Sequence, residues 1–186
     1  MCRSSLATRR ASVDGSAPTA SIPSMDELAA WSEFNVAMAG ATAALAGLVI
    51  VAASVNIGQI IKEASLTSRL AAGIAGLVLA LIASAIALMP DVDPVAAGVA
   101  VIVLAIGAGV FQVQASRRIF ENRHPENRMR GLKAAVGFVA PLAYAIGGAL
   151  LVAGVPAAPV WLAVGSLIAV VAALLISWIV LVEVLR

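Results

Sequence analysis

Ionisable and reactive side chains are what this sequence has least of. Charged residues make up 12% of its 186 residues, and it holds one cysteine, one histidine and one tyrosine. Cys2 alone makes neither a disulfide framework nor a CxxC pair. His124 has no cysteine nearby and no acid pair set against it, so a metal site is not expected. GxSxG, HExxH and Walker patterns are all missing, which points away from an enzyme and calls for no cofactor. No acid, histidine or lysine lies in the middle of an apolar run. Ion-coupled carriers mark their pathway with such residues, so an active carrier is disfavoured as well. Nucleic acid is a poor partner, because Phe120 is the only aromatic in the one basic segment.

What abounds is apolar surface. The chain is 62% hydrophobic with a mean hydropathy of +1.04, against about 45–50% apolar usage in soluble domains. Long apolar runs cover 34–55, 67–89, 94–113, 132–152 and 159–182. Each reaches or approaches the ~20 residues that cross ~30 Å of hydrocarbon. The runs do not alternate as barrel strands do, so the backbone must pair within helices. The fold class expected is an all-α integral membrane protein, a five-transmembrane-helix bundle over residues 25–186.

Residues 1–24 are rich in Ser, Ala, Thr and Arg and read as a disordered tail without a signal-peptide core. Met25 offers an alternative first residue. Ser24-Met25-Asp26-Glu27 fits a capping box, so a helix should begin there, with Trp31 at headgroup level. Loop 1–2 carries Lys62, Glu63 and Arg69, and loop 3–4 carries Arg117, Arg118, Arg123, Arg128, Arg130 and Lys133. The opposite side carries Asp91 and Asp93 between two prolines, with Asp26, Glu27 and Glu33. Basic loops stay in the cytoplasm, which predicts an outside N-terminus and an inside C-terminus. The basic loop also suits anionic lipid headgroups.

Small residues recur at four-residue spacing: Ala72, Gly76, Ala80 and Ser84 in the second run, and Gly165, Ala169, Ala173 and Ser177 in the fifth. The fourth run repeats the spacing at Gly137, Pro141, Ala145 and Ala149. Such stripes let helix backbones approach closely in lipid. They serve either packing within one bundle or an oligomer seam. Asn35, Thr42 and Asn56 share one face of the first run, interrupted by Val49. That row is either a seam of interhelical hydrogen bonds or a pore line. Pro141 frees a carbonyl near residue 137 and is a candidate hinge or a static kink.

The first run reads Phe34-Asn35-Val36-Ala37-Met38-Ala39-Gly40-Ala41-Thr42-Ala43-Ala44-Leu45-Ala46-Gly47-Leu48-Val49-Ile50-Val51 and continues to Ile57. It resembles the opening of a group of small multi-pass bacterial membrane proteins, some of them labelled modulators of a membrane-bound AAA protease. The resemblance covers the first span and the loop after it, and it names no functional residues. It implies a compact polytopic protein of a bacterial plasma membrane. Ten arginines against two lysines fit a GC-rich genome. The function expected is non-enzymatic: an accessory, scaffold or modulator subunit acting through helix faces on other membrane subunits or on itself. The alternative is a passive channel or small-solute pore lined by the first span in a homo-oligomer.

Overall fold

In a computed structural model the described residues are 25–62, 64–121 and 130–184. Among them every regular element is a helix: α1 Met25–Val55, α2 Ile57–Ile60, α3 Ala64–Ala87, α4 Pro94–Glu121, α5 Arg130–Val152 and α6 Ala158–Val184. Four are long and apolar enough to cross a membrane: α1, α3, α4 and α6. Among the described side chains of α5 the apolar stretch is Gly137–Val152, and Ala134, Ala135 and Val136 precede it in the sequence. The expected tail, His124, Arg123 and Arg128 lie outside the described residues. So do the side chains of Arg130 and Lys133.

Several helices are longer than their apolar runs. α1 begins at Met25 and continues unbroken into the first span. α4 carries on to Glu121, so Arg117 and Arg118, expected in loop 3–4, are helical. The stretch expected as loop 1–2 contains the single turn α2. Its Ile60 is 2% exposed, and the carbonyl of Ile60 accepts the Thr67 hydroxyl at 3.0 Å. Apolar contact and hydrogen bond together pin α2 to the start of α3.

Helix ends follow from local chemistry. Asp93 caps α4: its carboxylate accepts the amide of Ala96 at 2.9 Å, and its carbonyl accepts that of Ala97 at 3.0 Å. Pro94 then occupies the first helical position, where no amide donor is needed. Asp91 makes the tight turn before it with a φ of 59°. α5 ends in a Schellman motif. Gly154 has a φ of 67°, its amide reaches Leu151 O at 3.1 Å, and that of Val155 reaches Leu150 O at 2.9 Å. Pro156 follows and prevents continuation.

α3, α4, α5 and α6 form a ring in which each packs on its chain or ring neighbour, with α6 closing back on α3. α1 lies outside this ring, against α3 and only the margin of α6. The central cluster holds Leu79, Ala80, Ala83, Val101, Ala105, Ala108, Ala140, Tyr144 and Ala169. Six of these nine are alanine, so the helices are held by backbone proximity rather than by large interdigitating side chains. Large apolar residues point outward instead, as at Leu48, Ile106, Leu142 and Val171. That inside-out distribution suits a lipid solvent.

Candidate functional site

Both small-residue stripes face largely into the bundle. Ala72, Ala80 and Ser84 are buried on α3, as are Gly165, Ala169 and Ala173 on α6. Gly76 and Ser177 are half-buried. Gly165 has a specific reason to lack a side chain, since a Cβ there would sit 3.0 Å from Cδ2 of Tyr144. Gly76 does not, having nothing within 4 Å of such a Cβ.

The fourth-run stripe departs from its expected register at its end: Pro141 is buried and Gly137 and Ala145 are half-buried, but Ala149 is exposed, and Gly147 and Gly148 make the close contacts there. A Cβ on Gly98 would stand 2.7 Å from the carbonyl oxygen of Gly148, and a Cβ on Gly148 would stand 2.9 Å from that of Gly98. The α4 and α5 backbones therefore touch directly. Gly147 does the same against α6, where its Cβ would lie 2.7 Å from Leu162 Cδ2. The Gly-Gly pair serves two neighbours at once, because adjacent positions on a helix diverge by about 100°. Gly98 carried no such signal in the sequence, since its partner is on another helix.

The polar row of α1 faces α3. Thr42 is fully buried, and its hydroxyl donates to Met38 O at 2.6 Å. Asn35 Nδ2 donates to Trp31 O at 2.8 Å, and Asn56 Nδ2 to Ala52 O at 3.0 Å. Each side chain bonds back to its own helix, four residues earlier. Met38, Leu45 and Val49 share the face, and Val49 clusters with Leu77 of α3 and Ala173 of α6. The residue that interrupts the polar row is thus part of the helix–helix contact.

Pro141 is buried beside a small void among α3, α4, α5 and α6. The void measures about 10 Å³, room for a single water at most. Proline leaves the Gly137 carbonyl without its i+4 donor. The Gln112 carboxamide of α4 packs against Gly137, whose Cβ, if present, would meet its Oε1 at 2.5 Å. Pro141, Gly137 and Gln112 thus come together on the void.

Tyr144 is the largest buried side chain, 1% exposed. Ser166 of α6 lies beside its hydroxyl, but the Ser166 hydroxyl donates to Ala163 O at 2.7 Å. Among the described residues the phenolic oxygen has no partner of proper hydrogen-bond geometry.

At the other end of α3 and α4 a cleft of about 670 Å³ opens between the helices. Arg117, Arg118, Gln114, Thr67 and Ser68 line it, with Ile61, Ala71 and Phe111. Among the described residues no three of His, Cys, Asp and Glu come together as a metal cage. Comparison with family models, curated proteins and solved structures finds no match to this chain.

Proposed function

We propose that the chain is a non-enzymatic membrane subunit that works by presenting a helix face to another membrane protein or to a second copy of itself. The observation that carries this reading is the position of α1. It packs on α3 and little else, and its far side leaves Gly40, Ala44, Gly47 and Leu48 exposed. A Cβ on Gly40 or Gly47 would meet nothing within 4 Å. The stripes on α3 and α6 face largely into the bundle, and the small residues of α1 leave a face open for close approach.

The topology that goes with this reading is five spans in a bacterial plasma membrane, N-terminus out and C-terminus in. Support for a crossing by α5 comes from its contact with α4. That contact runs from Gly98 beside Gly148 to Gln112 beside Gly137, about 21 Å along α4 at 1.5 Å per residue. Support for the orientation comes from charge, with Lys62, Arg69, Arg117 and Arg118 at one end of the α3–α4 pair and Asp91 and Asp93 at the other.

The test is the native mass of the protein in nanodiscs, with whatever co-purifies identified, for wild type and for Gly40→Leu/Gly47→Leu. The expected result is an assembly larger than one chain that the double substitution dissociates while helicity and melting temperature hold. A wild-type monomer without partners overturns the reading. The alternative, a passive pore, requires an oligomer, because the void beside Pro141 admits no more than a water. Conductance in planar bilayers that changes with Asn56→Leu is its distinguishing result.

A further inference from the structure

The cleft between α3 and α4 has a vertical order. Its polar wall is Thr67 and Ser68 from the first turns of α3, with Gln114, Arg117 and Arg118 from the last turns of α4. One turn deeper on each helix the lining changes to Ala71 and Phe111. If Pro94 marks one membrane boundary, ~30 Å of hydrocarbon is covered after about 20 residues. Phe111 then lies just inside the apolar layer, and Arg117 and Arg118 lie at headgroup depth. Ile61, 69% exposed, flanks the opening.

Among the described residues that line the cleft there is no acid. Arg117 and Arg118 bring two guanidinium groups to it. Guanidinium groups recognise phosphate oxygens through paired N–H donors, and Ser68 and Gln114 add hydrogen-bonding groups beside them. A free phosphate would use only the upper wall. A phospholipid uses both, with the phosphate against the arginines and an acyl chain running down past Phe111 and Ala71.

We infer that this cleft is a binding site for one anionic phospholipid. The site is separate from the α1 face and would be occupied in a protein with no partner at all. The volume of about 670 Å³ exceeds what an inorganic phosphate fills and suits a headgroup with the first carbons of its chains.

The test places the full chain in nanodiscs of phosphatidylglycerol and phosphatidylcholine in equal parts and counts retained lipids by native mass spectrometry. Wild type should retain phosphatidylglycerol preferentially. Arg117→Gln/Arg118→Gln should reduce that retention by roughly thirtyfold, the order expected for two charges at the membrane surface. Gln114→Trp keeps every charge and fills the rim from an exposed position, so it should reduce retention too, and it decides the matter if the arginine variant does not fold. Equal loss in Arg123→Gln/Arg128→Gln, which removes the same charge elsewhere, would overturn the site in favour of a general surface potential. Equally tight binding of inorganic phosphate or glycerol phosphate to lipid-free protein would overturn the lipid as ligand.

Discussion

A side chain at Gly98 or Gly148 would run into a carbonyl oxygen, and a backbone atom cannot turn aside as a side chain can. Gly98→Ala and Gly148→Ala should each destabilise the bundle by about 1–3 kcal/mol, the range for overpacking. Gly76→Ala should be tolerated, since its Cβ enters open space. Thermal unfolding in one detergent separates the two classes, and equal effects at Gly76 and Gly98 would refute the assigned α4–α5 contact. Tyr144 allows a second test on the same assay. A buried hydroxyl without a partner costs stability, so Tyr144→Phe should leave the melting temperature unchanged or raise it. A loss of more than about 1 kcal/mol would mean that Ser166 pairs with the phenol after all, since that is the usual net worth of such a bond.

Each helix boundary on the acidic side has its own chemical cause. The Asp93 cap satisfies an amide that α4 would otherwise leave open. Asp93→Ala should cost about 0.5–2 kcal/mol, and Asp93→Asn, which keeps an acceptor, should cost less. Gly154 stands in the left-handed region, where a Cβ adds roughly 1–2 kcal/mol of strain. Gly154→Ala should therefore lower the melting temperature although nothing lies within 4 Å of its Cβ. An unchanged melting temperature would rule out the Schellman ending of α5. Gln112 packs against Gly137, one turn before Pro141. Gly137→Leu, which drives a side chain into that carboxamide, should destabilise α5 against α4 by about 1–3 kcal/mol, the range for overpacking.

At the scale of the whole molecule, the decisive question is how many times the chain crosses. Trp161 and Trp178 are both exposed on α6 and stand about 26 Å apart at 1.5 Å per residue. That spacing matches tryptophan belts at two membrane surfaces. Five crossings put the α3–α4 turn and the α5–α6 turn on the same side. In a background lacking Cys2, Asp91→Cys and Pro156→Cys should both react with a membrane-impermeant maleimide added to intact cells, and Glu126→Cys should not. Labelling at Asp91→Cys without labelling at Pro156→Cys would mean that α5 turns back within the membrane.

Much of this was legible along the chain. Hydropathy alone is enough for an all-helical membrane protein, because lipid cannot hydrogen-bond an unpaired backbone. The acid-rich and arginine-rich turns are equally local, as are the prolines that end helices. The stripes on α3 and α6 were readable because one helix's periodicity decides which residues share a face. The sequence did not show which faces meet. Only the tertiary structure paired Gly98 with Gly148, turned the polar row of α1 onto α3, set Gln112 against Gly137 and brought Ser68 and Arg117 to one cleft. Each of these joins residues on different helices. In lipid every apolar face is equally well solvated, so close fit between backbones, rather than hydrophobicity, selects the partner of each helix.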